Sequence, residues 1–401
     1  MPSNIRRGTV PHKPTGMGEY VDEIYSLKGF FGDWAHLYRR HNPAHPIRWS
    51  DPRLMYSGLD PGSLRAADAE DPRGEPLPLL EGDGIGVSLS QRSQAMPFAE
   101  KNVDRNQIRF YDRGAFLLET ELGELSVQAG DFVVLPRGLA YRETPRQGDG
   151  NRVYIFETEA PVVLAERLWD SVGYASLFVD YSEMELPEPA AGGPRPADTV
   201  GPAPAGTEHE LRVRFDGGWH SVVYDFDPCR DVVGWVGDPV IFKMSAWNVP
   251  ASATSHGHLP PPSGAVLMGE SREFFFNVLP LPPGPTVPPP DGSFGAPAHL
   301  NDYDELWLTH ASELAPQTEG HLWLLPRTVA HPGFKRPNAP AIEGRAPRSL
   351  RINFDTHAVL RWTEPARAAL FDDPVVAKYT SFFGVPLKAA PENVRRRAGA
   401  P

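Results

Sequence analysis

Hydrophobic positions along the chain recur in short runs rather than at helical spacing. Between Val87 and Thr158 the runs are β-branched or aromatic, and Gly, Asp or Asn bounds each of them: IRFYDRG, AFLLETELGELSVQ, DFVVLPRG and NRVYIFETE. Similar runs resume at ELRVRF and HSVVYDF and continue to about Leu360. We therefore expect many short strands joined by tight turns, with a short helix around GDWAHLYRRH near the N-terminus.

The proline and glycine content supports this interpretation. The chain of 401 residues contains 45 prolines and 37 glycines, and this proline density is incompatible with a helical protein, because proline removes a backbone donor and blocks helix interiors. The 20 Phe, 12 Tyr and 9 Trp residues supply a hydrophobic core, which excludes a disordered chain. We predict an all-β protein.

Two proline-rich stretches, at 187–206 and 279–297, have almost no strand-like pattern and interrupt the runs. They suggest two β modules within the length of the chain. The expected organisation has five parts: an irregular N-terminal arm (1–85), a first barrel without a metal site (86–186), a linker or loop (187–208), a second barrel with a metal site (209–360) and a short C-terminal tail (361–401).

Charge and cysteine content exclude several classes of protein. The 39 basic and 51 acidic residues leave a net charge of −12, which argues against binding to nucleic acid or to an anionic membrane. No apolar run approaches the roughly 18–20 residues that span a bilayer, and the N-terminus lacks a secretory signal. The single cysteine, Cys229, excludes a disulfide framework and a Cys-rich metal site. We expect a cytoplasmic protein.

A repeat occurs once in each half of the chain. Gly130-DFVVL-Pro136-Arg and Gly320-HLWLL-Pro326-Arg both follow the spacing G-x5-P-R-x-x-x-[Y/H], which ends at Tyr141 in the first half and at His331 in the second. We call this spacing the repeat frame. It resembles the second sequence motif of cupins, which are double-sheet jelly-roll barrels. In cupins its last position is a metal-binding histidine. The repeat therefore predicts two cupin-type barrels, a bicupin.

The partner motif of cupins, H-x-H-x3-E, lies upstream in the second half as His299-Leu-Asn301-Asp-Tyr-Asp-Glu305. The three positions 299, 301 and 305 have the same parity, so on one strand they would face into the barrel. With His331, the set contains two histidines and one carboxylate, the facial triad of non-haem Fe(II) oxygenases. The same ligands also suit manganese.

The first half lacks this set of metal ligands. Alignment in the repeat frame places Lys101, Gln107 and Tyr141 opposite the three candidate ligands of the second half. An ammonium, an amide and a phenol make a poor site for a divalent cation. We expect one barrel that binds metal and one that is structural.

Longer segments resemble the homogentisate 1,2-dioxygenase family through most of the chain. They are GTVPHKPTG, KGFFGDWAHLYRRHNPAHP, ETELGELSVQAGDFVVLPRGLAYR, YIFETEAPVVLAERLWDSVG, DFDPCRDVVGWVGD, HLPPP, HLNDYDE and TVAHPG, in the family order. The resemblance implies Fe(II) held by His299, Glu305 and His331, with His258 as the base that deprotonates the substrate phenol and His256 as its alternative. It also implies O₂-dependent ring cleavage of a small aromatic acid by a homo-oligomer, a trimer or hexamer.

Two departures from the family bear on the substrate. Leu325 occupies a position where the family usually has a second histidine, and no tyrosine lies between Glu305 and His331. Homogentisate or a close relative is the expected substrate, and a different hydroquinone or catechol-type acid is the alternative. Two further functions remain open at this point: a metal-dependent cupin isomerase or lyase that does not use O₂, and a small-molecule-binding cupin without activity.

Overall fold

The computed structural model describes residues 7–8, 21–27, 34–41, 43–44, 49–165, 180–189, 208–249, 264–281, 298–313, 315–331, 348–377, 388 and 395. Within these ranges the chain is built almost wholly of strands, and the expected all-β class with two cupin-type barrels is confirmed. No helix in this part of the chain has the length and apolar character that crossing a membrane requires.

The strands of the first half of the chain are β1 (Val21–Ser26), β2 (Trp34–Arg39), β3 (Ser57–Leu59), β4 (Leu77–Gly82), β5 (Ile85–Ser90), β6 (Ala99–Asn102), β7 (Asn106–Arg113), β8 (Ala115–Thr120), β9 (Gly123–Gln128), β10 (Asp131–Leu135), β11 (Ala140–Pro145), β12 (Arg152–Thr158) and β13 (Val162–Leu164). Short 3-10 helices lie at Pro52–Leu54, Pro61–Ser63, Ala67–Ala69 and Tyr181–Glu183.

The second half contains β14 (His209–Phe215), β15 (Gly218–Tyr224), β16 (Phe242–Ser245), β17 (Gly264–Gly269), β18 (Phe274–Leu281), β19 (Ala298–Leu300), β20 (Asp304–Ser312), β21 (Leu322–Leu325), β22 (Ser349–Thr356) and β23 (Arg361–Trp362). Its helices are single turns: 3-10 helices at Ala246–Asn248 and Pro316–Thr318, and α-helices α1 (Glu364–Arg367) and α2 (Pro374–Ala377).

Two sheets enclose the first barrel, a seven-stranded sheet in the order β16-β10-β7-β12-β5-β4-β23 and a six-stranded sheet in the order β15-β14-β6-β11-β8-β9. A second seven-stranded sheet, in the order β13-β17-β18-β22-β20-β21-β3, forms the wall of the second barrel, beside a three-stranded sheet in the order β19-β1-β2. Edge strands are exchanged between the halves, since β14 pairs in parallel with β6 and β3 pairs with β21. The predicted domain limits stay a prediction.

The two seven-stranded sheets pack against each other through their outer faces. Phe156 of the first sheet stacks on Phe354 of the second at 5.1 Å between ring centroids and meets Phe276 edge-on at 5.7 Å. All three are buried in the largest hydrophobic cluster. Because side chains alternate along a strand, the residues between these aromatics face the barrel interiors. This alternation decides which side chains of β18, β20 and β22 line the second barrel.

The prediction of a short helix around GDWAHLYRRH is wrong, because residues Trp34–Arg39 form strand β2. This strand runs antiparallel to β1, which in turn pairs in parallel with β19. Along β2, His36 and Tyr38 stack on one face at 4.6 Å between ring centroids, as residues two apart on a strand do. Pairing with β1 therefore outweighs the weak helical preference of the segment.

The repeat frame is a real structural repeat. In the first barrel β10 pairs with β7 so that Leu135 lies opposite Gln107, and in the second β21 pairs with β20 so that Leu325 lies opposite Glu305. Each repeat begins at a glycine in the left-handed region, Gly130 at φ 93° and Gly320 at φ 87°. The corner after the proline is also left-handed in both repeats, at positions 138 and 328.

Candidate metal centre

Three side chains converge at one end of the second barrel. His299 lies on β19, Glu305 lies at the start of β20, and His331 forms an isolated antiparallel bridge with His299. The Nε2 atoms of the two histidines are 2.9 Å apart, and the Glu305 carboxylate oxygens lie 3.5 Å from Nε2 of His331 and 3.9 Å from Nε2 of His299. One donor atom from each residue falls within 4.8 Å of the others. The structure therefore brings together all three predicted ligands.

The route by which these residues meet differs from the prediction. Positions 299, 301 and 305 do not share one strand, because β19 ends at Leu300 and β20 begins at Asp304. Asn301 forms the turn between them: its side-chain oxygen accepts a hydrogen bond from the backbone N–H of Tyr303 at 2.9 Å. The turn folds β20 back so that Glu305 reaches the two histidines.

Hydrogen bonds orient the candidate ligands. The indole Nε1 of Trp307 donates to Oε2 of Glu305 at 2.8 Å, and the amide Nδ2 of Asn301 donates to Oε1 of the same carboxylate. Nδ1 of His331 lies 3.2 Å from the carbonyl oxygen of Val329. Donation from Nδ1 to this carbonyl leaves the lone pair of Nε2 directed at the cluster, the arrangement found around metal-binding histidines.

The cluster is shielded from solvent: His299, Glu305 and His331 are at most 3% exposed. Burial by itself would raise the pKa of Glu305, but the positive charge of the neighbouring histidines and the hydrogen bonds to the carboxylate outweigh it and lower that pKa. Asp355 lies opposite Glu305 on β22. Burial and the charge of Glu305 raise the pKa of Asp355. The geometry thus keeps one carboxylate of the pair ionised.

These donors fit a divalent metal ion. Two imidazole nitrogens and a carboxylate on one side of a site form a facial triad, which leaves the opposite coordination positions open. Ligand atoms about 2.1 Å from a metal and at right angles to each other lie about 3 Å apart, close to the observed 2.9 Å between the histidine nitrogens. A divalent metal ion binds the lone pair of an imidazole and an ionised carboxylate, which are the two types of donor present here.

The barrel interior beside the triad carries further polar side chains. Asn277, Thr309, Asn353 and Asp355 are nearly inaccessible to solvent, and in each of them one side-chain oxygen has no hydrogen-bond partner among the described residues. Their neighbours along the strands, such as Phe276, Leu308 and Phe354, belong to the large apolar cluster on one face of the sheet. Because side chains alternate between the two faces, these oxygens face the same interior as Glu305. Buried polar atoms of this kind normally have partners, and a polar ligand supplies them.

The other residues singled out in the sequence lie outside this triad. His258 and its alternative His256 lie outside the described residues. Leu325 is 2% exposed and lies opposite Glu305 on β21, so the family histidine is replaced by a buried apolar side chain next to the triad. Cys229 is buried, and burial raises the pKa of its thiol to about 12.

The counterpart of the triad in the first barrel was misassigned by one residue. The backbone N–H of Gly138 donates to the carbonyl of Asn102 as that of Thr328 donates to Asn301, and both asparagines close the following turn with their side chains. Asn102 is therefore the equivalent of Asn301, and Glu100, rather than Lys101, is the equivalent of His299.

A one-residue insertion explains the error. Five positions separate Asn102 from Gln107, whereas four separate Asn301 from Glu305. Glu100 lies opposite Tyr141 in the ladder, as His299 lies opposite His331. Lys101 points elsewhere and donates to Glu121 at 3.1 Å. The sequence contains a signal for this insertion: an asparagine ends both equivalent tripeptides, EKN (100–102) and HLN (299–301), and the extra residue follows it in the first barrel.

Comparison with known proteins shows which proteins this chain is similar to. Residues 81–167 match the model described as homogentisate 1,2-dioxygenase N-terminal. A protein of Saccharolobus solfataricus named "Putative dioxygenase" is 23% identical over 252 residues, which cover 60% of this chain and 62% of that relative. The resemblance to homogentisate dioxygenases is confirmed. The chain spans less than two thirds of the length of this relative.

Solved structures resemble this chain more weakly. A "Putative Glyoxylate Induced Protein" from Pseudomonas aeruginosa is 11% identical, with a TM-score of 0.37 over 81% of this chain and 98% of its own. A cupin 2 conserved barrel domain protein from Leptotrichia buccalis is 10% identical, with a TM-score of 0.32 over 70% of this chain and 88% of its own.

Proposed function

We propose that the chain is an Fe(II)-dependent dioxygenase that cleaves the ring of homogentisate or a closely related dihydroxy aromatic acid. The buried cluster of His299, Glu305 and His331 carries this proposal, because two histidines and one carboxylate on one face are the ligand set of oxygen-activating iron sites. When bound, the metal supplies a Lewis acid for the substrate oxygens and a binding position for O₂.

The residues of the chain hold and shape the site. Trp307 and Asn301 fix the Glu305 carboxylate from two sides, so its remaining lone pairs point at the cluster. The near-complete burial of the triad excludes bulk water, which protects a reactive centre. His258 is the proposed base for the substrate phenol, because an imidazole accepts a proton near neutral pH.

Polar side chains of the interior are the proposed contacts for the substrate. The unpartnered amide oxygens of Asn277 and Asn353 would accept hydrogen bonds from hydroxyl groups of a small aromatic acid, and the hydroxyl of Thr309 would donate to one of its oxygens. Aromatic walls are available from Trp307 and Phe275, both buried on the same side of the sheet. A dihydroxy aromatic acid has this combination of an apolar ring and polar edges.

A different hydroquinone or catechol-type acid is the second candidate, and Leu325 favours it. The leucine is buried opposite Glu305, where it presents an apolar surface instead of an imidazole. A site that lacks a hydrogen-bonding side chain discriminates less against analogues that lack the corresponding polar group. The substrate preference therefore depends on position 325.

An oxygen-electrode assay tests the proposal. Protein reconstituted anaerobically with Fe(II) is mixed with homogentisate, and the ring-cleaved product is followed by its ultraviolet absorbance. We expect consumption of one O₂ per substrate, loss of activity in Glu305→Gln, and retention in Glu208→Gln, a matched change at an exposed glutamate. Iron-loaded protein that consumes no O₂ with homogentisate or with any of a panel of dihydroxy aromatic acids would contradict a dioxygenase.

A further inference from the structure

The first barrel contains a cavity of about 210 Å³ at the position that corresponds to the metal centre. Its walls include Glu100, Gln107 and Tyr141, the structural counterparts of His299, Glu305 and His331. The first barrel therefore has a cavity at this position, although all three side chains differ from the candidate metal ligands of the second barrel.

An arginine contacts two of these three counterparts in the first barrel. Nη1 of Arg109 donates to Oε1 of Gln107 at 3.0 Å and to the hydroxyl of Tyr141 at 3.2 Å. The same guanidinium donates through Nε and Nη2 to both oxygens of Glu143, at 3.1 and 2.6 Å. A fixed positive charge in contact with two of the three counterparts excludes a divalent ion from this position.

The buried carboxylates that line the cavity differ in their arginine partners. Arg109 pairs with Glu143, and Arg214 pairs with Glu157 at 3.0 Å. The guanidinium of Arg92 donates to two backbone carbonyls and lies 3.9 Å from Asp68. Glu100 is the buried carboxylate of the cavity wall that no arginine in the described part of the chain neutralises by direct contact. Glu157 also has Arg105 at 4.0 Å, and Arg92, Arg109 and Arg212 act on Glu100 without touching it, so Glu100 differs from the other buried carboxylates by its lack of an ion pair.

One oxygen of Glu100 is available to a ligand. Oε1 accepts a hydrogen bond from the hydroxyl of Tyr141 at 2.5 Å, and Oε2 has no donor among the residues whose positions are described. The side chain is 9% exposed, and it lines the cavity. Burial raises the pKa of Glu100 in spite of the hydrogen bond from Tyr141, so the charged form is costly until a cation compensates it.

We propose that this first-barrel cavity is a second ligand site, which binds a small organic cation with a primary ammonium group through Glu100. The ammonium group would donate to Oε2 of Glu100, and Ser88 offers a hydroxyl acceptor on the same wall. A cavity of about 150 Å³ holds one benzene, so about 210 Å³ holds roughly eight non-hydrogen atoms.

The mouth of the cavity favours the same charge. Glu75 and Glu81 line it, and both are exposed to solvent. Carboxylates at an entrance attract small cations and repel anions. Glu75 also pairs with Arg212 at 3.5 Å, but the lining as a whole contains five glutamates and three arginines, so it disfavours an anionic ligand such as the aromatic acid proposed for the second barrel. The two barrels would therefore bind ligands of opposite charge.

Calorimetric titration with three ligands of matched size tests the proposal: n-butylammonium, 1-butanol and butyrate. We expect saturable binding of butylammonium in the millimolar range, with at least tenfold weaker binding of the alcohol and none of the acid. Glu100→Gln keeps the hydrogen-bond acceptor for Tyr141 and removes the negative charge. This substitution should weaken the binding of butylammonium at least tenfold. Glu208→Gln, an exposed change of the same kind, should leave the affinity unaltered.

A second variant guards against a folding defect in Glu100→Gln. Ser88→Leu fills the cavity from a partly exposed wall position and should abolish binding, while iron content and oxygen uptake, which report on the second barrel, stay at wild-type values. No saturable binding of butylammonium to the wild type, equal binding of the alcohol, or unchanged affinity in both variants would overturn the proposal. Each of these results leaves the proposed dioxygenase activity untouched.

Discussion

The two barrels have the same strand register and different chemistry at the same position. Glu305 in the second barrel and Gln107 in the first lie opposite equivalent leucines, and the preceding asparagines close equivalent turns. The second barrel directs two imidazoles and a carboxylate at a common point. The first directs an amide and a phenol at the guanidinium of Arg109, and its carboxylate, Glu100, accepts a hydrogen bond from that phenol.

One side chain accounts for much of the difference between the two barrels. Trp307 and Arg109 are equivalent, since each lies two residues after the compared position on its strand. In the second barrel this side chain donates to the carboxylate from beside the cluster. In the first barrel the equivalent side chain, Arg109, lies between two counterparts of the triad and contributes a positive charge of its own. Loss of metal ligands and gain of an internal cation occur together.

The largest expected effect comes from removing that internal cation. Arg109→Met leaves Glu143, which is fully buried, without its partner. Breaking a buried ion pair costs about 3–5 kcal/mol of the free energy of unfolding, because the remaining charge is uncompensated. Urea denaturation of iron-free protein measures the change. Adding Glu143→Gln, which keeps an acceptor for Tyr111, should recover more than half of the loss.

A matched arginine separates this effect from a general loss of side-chain packing. Arg65 pairs with Glu70 at 3.3 Å on the surface, where both side chains are more than half exposed. Arg65→Met should therefore change the urea midpoint much less than Arg109→Met. Equal effects of the two substitutions would contradict a structural cation in the first barrel.

A smaller effect is expected for the equivalent position of the second barrel. Trp307→Phe keeps a ring in the apolar cluster and removes the indole N–H that holds Glu305. Loss of a hydrogen bond to a metal ligand typically costs about 10–100-fold in metal affinity. Competition with a chelator, followed by metal analysis, measures the affinity. If Trp307→Phe binds iron as tightly as the wild type, the indole does not position the carboxylate.

The smallest effect concerns the left-handed corner of the repeat frame. Gly138 has φ 85° and open space around its α-carbon. Gly138→Ala should therefore lower the free energy of unfolding by about 1–2 kcal/mol through backbone conformation alone. Thr328 adopts φ 56° at the equivalent position with a β-branched side chain. Thr328→Gly should therefore shift stability in the opposite direction and by less, because glycine also gains freedom in the unfolded chain. Thermal unfolding of both variants measures the two changes in stability.

Much of the fold follows from local patterns in the sequence. Proline content, short aromatic runs and the repeat frame all report on strands and turns, which depend on neighbouring residues. The triad was predictable because His299 and Glu305 are close in sequence and the repeat frame supplies His331. The strand formed by Trp34–Arg39 was not predictable in this way, because its pairing with β1 is a tertiary contact.

The pocket of the first barrel shows where sequence alignment fails. Counting back from Gln107 without a gap gave Lys101, and only the hydrogen bonds of Asn102 reveal the extra residue in the turn. The cationic role of Arg109 was also hidden, because it depends on Glu143 and Tyr141, which lie more than thirty positions further along the chain. Long-range electrostatic partners leave no local pattern.

Metal analysis after anaerobic reconstitution with Fe(II) tests the difference between the barrels most directly. The account predicts one iron per chain in the wild type, nearly none in Glu305→Gln, and one again in Glu100→Gln, because only the second barrel presents two imidazoles and a carboxylate. Two irons per chain, or an unchanged iron content in Glu305→Gln, would contradict the assignment of the metal to His299, Glu305 and His331.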